Sequence, residues 1–582
     1  MRQTTQVLII GAGPVGQGLA IELGLRGVDC IVIEKNARIG VAPRAKTTNV
    51  RTREHLRRWG IADALREASP FGVDYPSNVV FATRLNGHAL ARFENAMYCA
   101  PGRNPLYAEH GQWIPQYTLE RVMRQHLDSL PAVTVQLNTE LLHVKQTGAS
   151  VLARVRTLAN DGAGEDRSSS SGSESNAGDP VHEIEAQYLV GCDGGRSVVR
   201  EAIGARMEGT FGMSRNYNIV FHAPGLAEAQ HHGKAIMYWL VNGDTPCLMG
   251  PMDVGDRWFF MPTGLAPDVQ VTLENAAEMI RKTTGIDLPY QALSVDEWVA
   301  HQVVATHYRD RRVFLAGDAC HLHPPFGGFG MNMGVSDAVD LGWKIAAVLQ
   351  GWGGEGLLES YERERRPVHL HVLKEATANH AQLGGALFEK GIEDDSDQGA
   401  AIRARVGQRI SAAKLSEFYT LGTMLGDRYA DSPVVQNVPD APPASTRDFL
   451  NYIPNVLPGS RAPHAWLHDG SSLYDHFGAG FTLLVASLAP VAPVAGTSAD
   501  EAAIASAEAD AQRLGVPLQV LRPKAPAIAA LYPRRLTLIR PDQHVAWAGD
   551  VWPDAGVLAV LSMATGRQAA AKAPLDVVNA II

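Results

Sequence analysis

Val7-Leu-Ile-Ile-Gly11-Ala-Gly13-Pro14-Val15-Gly16 carries the chain from an apolar run into a Gly-x-Gly-x-x-Gly turn, and Gln17 to Arg26 continues with helical character. A strand feeding such a turn and then a helix is the dinucleotide-binding arrangement. Gly11 permits the tight turn, Gly13 lets the backbone approach a pyrophosphate, and Gly16 allows close helix-to-strand packing, with the phosphates at the helix N-terminus. Pro14 and Val15, inside the same turn, count with the cofactor-binding candidates. A second apolar strand, Cys30-Ile-Val-Ile-Glu34, ends in an acid at the spacing expected for holding ribose hydroxyls, so Glu34 is the adenosine-ribose candidate, with Lys35 beside it. The class that follows is α/β, with a Rossmann-like domain at the start of the chain.

Two later stretches share this grammar. Tyr188-Leu-Val-Gly-Cys-Asp193-Gly194-Gly-Arg-Ser197-Val-Val-Arg200 is a buried strand ending in an acid, a glycine turn and a helix with a serine near its start. Val313 to Ala316 is a short buried strand; Gly317 lets the chain pass close to a bound group and Asp318 can accept from a sugar hydroxyl. After Pro324 and Pro325 come Gly327, Gly328 and Gly330, and helical spacing of Val335, Val339, Trp343, Ala346 and Leu349 predicts a helix starting at Met331 or Asn332. Its free N–H groups favour an anionic partner, which for a flavin is the N1–C2=O2 edge. Between the first and second motifs lie the cations Arg44, Lys46, Arg51 and Arg53, followed by a helix expected over Thr52 to Trp59. Arg44 is the cofactor candidate among them, although such cations are equally ordinary on a solvated face. Gln116 stands at the entrance of an amphipathic helix marked by Leu119, Val122, Met123 and Leu127.

At 582 residues the chain is too long for one core and predicts roughly three domains. A net charge of -9, with no Lys/Arg run, argues against nucleic acid. The five cysteines, Cys30, Cys99, Cys192, Cys247 and Cys320, form no Cys-x-x-Cys, so neither a zinc site nor a disulfide framework is encoded and a cytoplasmic location is expected. The apolar start is too short for a signal peptide. The uncharged run Phe477 to Ala499 is broken by Pro490 and Pro493, and reads as a strand over Phe481 to Val485 plus a loop, with no membrane span. Residues 160 to 180 are Gly, Ser, Asp and Glu rich, lie between strand patterns at Val151 to Arg156 and Glu183 to Val190, and read as a disordered hairpin insertion whose deletion should be tolerated.

Together the three motifs resemble the single-component FAD-dependent aromatic hydroxylases, the group of para-hydroxybenzoate hydroxylase and phenol hydroxylase, over Val7 to about Glu375. Gly11, Gly13, Gly16 and Glu34 match the family's dinucleotide motif. Asp193, Gly194 and Arg200 match its motif for FAD and the nicotinamide donor, and Gly317 with Asp318 its flavin-ribose motif. Pro325, Gly327, Gly330, Met331 and Asn332 match the loop along the isoalloxazine, and Arg44 and Gln116 align with positions that touch FAD. Pro43-Arg-Ala-Lys-Thr-Thr-Asn-Val-Arg-Thr and Ala430-Asp-Ser-Pro-Val-Val are similar to the longer phenol and hydroxyphenylpropionate hydroxylases.

The resemblance implies a Rossmann-like FAD domain (1–75, 112–200, 300–400) interrupted by an α+β substrate domain with an antiparallel sheet (76–111, 201–299). A connecting helix and linker (401–433) and a thioredoxin-like domain (434–582) follow; with no cysteine after Cys320 that last domain is redox-inert and serves packing or subunit contact. Residues 201 to 299 do carry alternating, aromatic-rich strands at Tyr217 to His222, Ile236 to Val241 and Arg257 to Met261. Tyr217, Tyr238, Trp239 and Trp258 are the candidate liners of an apolar pocket, each of which could equally be core. The implied reaction uses NADH or NADPH to reduce FAD, then O2 and a C4a-hydroperoxide to hydroxylate a small phenolic or related aromatic, in a chain that could form a homodimer. Phenol hydroxylase carries an acid near the substrate hydroxyl where this chain has Lys46, so the identity of the base is open and Lys46 is a catalytic candidate. An FAD oxidoreductase of the same fold without oxygen insertion, or a non-catalytic binding protein of this fold, are the alternative readings.

Overall fold

A computed structural model describes residues 2–37, 45–159, 179–253, 255–266, 268–380, 387–443, 448–486, 498–523 and 526–568. Its organising element is an eight-stranded sheet in which the strands at 309–310, 313–315, 181–191, 2–10, 30–33 and 133–136 lie side by side in that order. Val7 pairs with both Tyr188 and Cys30, and Leu189 with Val313, all in parallel register. Parallel strands covered on both faces need continuous apolar runs, and Val7, Leu8 and Ile9 are fully buried. The parallel register also sends the C-terminal ends of the strands Arg2–Ile10, Cys30–Ile33, Val181–Gly191 and Val313–Leu315 to one edge, where all three glycine motifs emerge.

The helix after the first strand spans Pro14–Gly24, with the proline in its first turn, where a missing N–H costs nothing. The third-motif helix starts at Phe329, two residues before the expected Met331, because Gly328 at φ 68° serves as its N-cap. The helix expected from Thr52 runs over Val50–Arg58, set by the side chain of Asn49, which accepts the Thr52 N–H.

The second sheet also has eight strands, with 321–322, 291–305, 207–222, 257–262, 247–253, 237–240, 79–82 and 89–93 in that order. One face packs beneath the helix Leu273–Thr284, which Thr272 and Asn275 close with a reciprocal cap. The other face collects Val79, Phe81, Trp239, Phe259 and Phe326, with Ile402, Val406 and Ile410 from the helix Asp397–Ala413. Two expected boundaries therefore shift. The strand Gln291–Ala305 runs past 299, and the helix Asp397–Ala413 begins before 401 and packs on the second sheet.

The C-terminal sheet orders its strands 518–521, 481–485, 536–539 and 545–549, the first pair parallel and the rest antiparallel. With the helices 498–514, 526–531 and 556–564 in the connections, this is thioredoxin topology. Its seat is the third-motif helix. Trp343 stacks on Trp352 at 6.3 Å between ring centroids, and Phe481 sits edge-on to both. Beside them Arg540, fully buried, reaches Glu364 at 2.7 Å and Asp340 at 3.0 Å, while Lys344 lies 2.7 Å from Asp340. Phe481–Val485 forms the strand expected there, and the rest of the 477–499 loop from 487 to 497 lies outside the described residues. No described helix is long and apolar enough to cross a membrane.

Candidate cofactor and substrate site

At the shared edge of the parallel sheet the glycines divide by what surrounds them. A Cβ at Gly11 would strike the carbonyl of Cys192, and one at Gly16 the carbonyl of Gly11, so both are needed for packing. A Cβ at Gly13 would meet nothing within 4 Å, and the same holds at Gly194 and Gly330. The helices Pro14–Gly24 and Phe329–Leu349 have no acid in their first turns. Open backbone at two helix starts whose dipoles are not neutralised by a side chain suits a pyrophosphate and an anionic ring edge. The donor set therefore fits FAD.

Glu34, at the end of the second strand, accepts the Ala12 N–H at 2.9 Å and both the backbone and side-chain N–H of Asn36, which holds its carboxylate at the first glycine turn. Lys35 is exposed and Arg44 lies outside the described residues. Asp318 is exposed at the sheet edge, on a turn where Gly317 adopts φ +64° and a Cβ would press on Val15 at 2.8 Å. Gln116 begins its helix, donates to Glu120 at 2.7 Å and ties its N–H to Ala45. Pro325 is exposed and Gly327 adopts φ +93°. Met331 is half-buried in the first turn of the helix.

Three candidates turn their side chains to the scaffold instead. Arg200 donates to Ala319 O at 3.1 Å and Gly195 O at 2.9 Å, tying the second motif to the third. Asp193 accepts the Val199 N–H at 3.1 Å, and burial raises its carboxyl against hydrogen bonds from Ser197 and the turn. Asn332 accepts from the Asn49 N–H and Thr52 Oγ1 and donates to Thr47 O and Gly328 O, which leaves only its backbone for a ligand.

Beneath this edge the fold gathers Cys320, His321, Asp337 and His369, all buried, with ligand-type atoms within 4.8 Å of one another. Sequence spacing gives no hint of the cluster. Asp337 is already spent as an acceptor, for Gly317 N–H at 3.0 Å, Arg365 Nε at 2.7 Å, His321 Nε2 at 3.0 Å and His369 Nε2 at 2.9 Å. Burial alone would raise its carboxyl, but His369 and Arg365 hold it well below the usual range. The cluster fixes the Gly317 turn on the third-motif helix.

The aromatic wall differs from expectation. Tyr217, Tyr238 and Trp258 lie on the sheet face covered by the helix Leu273–Thr284, and Tyr238 Oη donates to Gly233 O at 2.6 Å. Strand alternation turns their neighbours the other way. Trp239 stacks on Phe81 with centroids 5.7 Å apart and lies 6.0 Å from Phe326 of the third-motif loop. Phe259 and Phe326 share that face, with Trp113 packed against it, and none of the three stood out in the sequence. Aromatics alternate with aromatics at Tyr238 and Trp239 and at Trp258 and Phe259, so pattern alone could not choose the face.

Of the described cations in the segment after the second strand, Arg51 pairs with Glu54 at 3.1 Å and Asp542 O at 2.7 Å, and Arg53 with Glu109 at 3.0 Å. Lys46 is different. Its Nζ lies 3.6 Å from the centroid of Phe259, it has no carboxylate partner among the described residues, and burial lowers its ammonium to about 7.

Residues 4–376 match the FAD binding domain family and residues 455–568 the aromatic-ring hydroxylase C-terminal family. A putative polyketide hydroxylase of Streptomyces halstedii is 31% identical over 93% of this chain and 92% of its own. The 2,4-dichlorophenol 6-monooxygenase of Delftia acidovorans is 28% identical over 94% and 96%. The solved structure of the rebeccamycin biosynthetic enzyme RebC with reduced flavin superposes with a TM-score of 0.84 at 30% identity, covering 98% of this chain and 100% of that one. The chain belongs to the FAD binding domain family of aromatic-ring hydroxylases, and is an FAD-dependent monooxygenase.

Proposed function

We propose that this monooxygenase hydroxylates a phenolic or similarly electron-rich aromatic compound, with NADH or NADPH as donor. The observation that carries the reading is the contact of Trp239 with Phe326. It joins the aromatic face of the substrate sheet to the loop that leads into the third-motif helix, so a flat ring held against that face lies beside the cofactor edge. The names of the polyketide and dichlorophenol relatives support an aromatic substrate.

Bound FAD would take hydride from the nicotinamide and, with O2, supply the oxygen delivered to the ring. The chain's own residues do the rest. Glu34 and Asp318 hold ribose hydroxyls, and the backbone at Gly13 and the start of the helix Pro14–Gly24 hold the pyrophosphate. The first turn of the helix Phe329–Leu349, around Met331, would favour negative charge on a bound flavin. Phe81, Trp239, Phe259 and Phe326 orient the aromatic substrate and exclude water from it.

The test is anaerobic flavin reduction by NADH and by NADPH in the presence of phenols with one to four fused rings. At least one should accelerate reduction and yield a hydroxylated product once O2 is admitted. If none changes the reduction rate, and NAD(P)H oxidation yields only hydrogen peroxide, the hydroxylase reading fails in favour of an oxidase of the same fold.

A further inference from the structure

Lys46 is held where few lysines are. Its carbonyl accepts the Ile114 N–H at 2.7 Å, the next-door Ala45 carbonyl accepts the Gln116 N–H, and Thr47 and Thr48 pair with Trp113 and Gln112. Asn332 of the third-motif helix donates to Thr47 O at 2.9 Å, and a Cβ on Gly328 would touch the Thr47 side chain at 3.2 Å. The backbone of Lys46 is thereby fastened one residue from the cofactor loop, while its side chain extends over Phe259 on the aromatic face. An ammonium there has a ring to rest on and no acid to neutralise it, although Arg51 and Arg53 in the same segment are both paired.

We infer that Lys46 is the base that takes the hydroxyl proton of the bound phenol, so that the substrate is held as a phenolate beside the Lys46 ammonium. The inference rests on the hydroxylase reading above. In the step the phenolic O–H bond breaks and an Nζ–H bond forms, with no change of oxidation state and no further reactant. A neutral amine and a neutral phenol become an ion pair of zero net charge, so the pocket gains no uncompensated charge. The phenolate ring is the more electron-rich partner for oxygen transfer. Burial, which already lowers the ammonium to about 7, supplies a neutral amine near neutral pH. Among the titratable groups on flanking elements, Tyr117 donates to Asp253 at 2.7 Å, Arg257 lies 3.6 Å from Asp253, Glu120 accepts from Gln116 at 2.7 Å, and burial lowers His323 in the third-motif loop well below the usual imidazole range. The apolar groups beside Lys46 are Phe259 and, 6.5 Å from it, Trp113. The four-carbon stem lets Nζ leave the Phe259 ring for a ligand oxygen without moving the backbone.

The experiment uses FAD-loaded enzyme and 4-hydroxyacetophenone, with 4-methoxyacetophenone as the control that cannot ionise. Ultraviolet difference spectra are recorded near neutral pH, below the pKa of the free phenol. The native enzyme should bind the phenol with a phenolate spectrum. Lys46→Met should retain FAD, bind the phenol without that spectrum and hydroxylate at least about 100-fold more slowly, the usual weight of a general base. Lys46→Arg, which keeps a cation but cannot accept a proton, should still favour the phenolate through its charge but release the phenol proton to the medium on binding, a release that a pH indicator reads and that the native enzyme, keeping the proton on Lys46, should not show. Binding as neutral phenol to the native enzyme, an unchanged phenolate spectrum in Lys46→Met, or loss of FAD from that variant would each overturn the assignment. Failure of every phenol to bind would instead overturn the substrate reading on which it stands.

Discussion

Gly13→Val separates the cofactor site from the fold that carries it. Gly13 sits at φ -70° and ψ -178°, a conformation open to any residue, and a Cβ there meets nothing within 4 Å. The free chain therefore loses little by the substitution, at most about 1 kcal/mol from a valine at the N-cap. A pyrophosphate drawn to the start of the helix Pro14–Gly24 would meet two methyl groups. Losing one charge-assisted hydrogen bond, about 1.5 to 3 kcal/mol, together with about 0.3 to 1 kcal/mol of the helix-terminus attraction, weakens binding by about 2 to 4 kcal/mol. That corresponds to about 30- to 700-fold in Kd. Gly16→Val is the contrast, because its Cβ lands on the Gly11 carbonyl and must push strand and helix apart. Fluorescence titration of apoprotein with FAD and thermal unfolding without FAD give the two readouts. Gly13→Val should change chiefly the first and Gly16→Val the second as well. An apoprotein Tm lowered equally by both, or unchanged FAD affinity in Gly13→Val, would refute the placement of the phosphates.

Arg540→Ala leaves Asp340, Glu364 and Asp542 buried with too little positive charge, and should destabilise the whole chain by about 3 to 5 kcal/mol in denaturant unfolding, without a separate early transition for the C-terminal domain. The Asp337 carboxyl, held low in the folded chain, contributes stability that is present above the unfolded pKa of about 3.9 and is lost as pH falls through the folded value. The stability gap between native chain and Asp337→Asn should accordingly be widest near neutrality and shrink on acidification, as urea unfolding at stepped pH will show. Residues 160–178 should be replaceable by a short turn with little change in Tm, since Thr157 N–H already meets Pro180 O at 3.0 Å across the flanking hairpin.

The meeting of the three motifs was legible because a turn that demands glycine shows in the sequence, and strand ends in parallel register bring Glu34, Asp193 and Asp318 to one edge. The start of the third-motif helix was not, since Gly327, Gly328 and Gly330 read as loop until the left-handed Gly328 is seen to cap Phe329. The aromatic sheet was half legible: the strands carry large rings on both faces, and only the helix Leu273–Thr284 decides which face Tyr238 takes and which Trp239 takes. The long-range partners of Arg51, Asp337 and Arg540 could not be read at all, because contacts between distant elements leave no spacing to find.

The central claim is that oxygen from O2 reaches an aromatic ring held against Phe259 and Trp239. A single turnover of FAD-loaded enzyme, reduced by NAD(P)H with the phenol that most accelerates reduction and then mixed with 18O2, tests it by mass spectrometry. The account predicts one labelled hydroxyl oxygen in the product for each NAD(P)H oxidised, falling sharply in Lys46→Met. Label appearing only in hydrogen peroxide, with the phenol recovered unchanged or dehydrogenated, would contradict it.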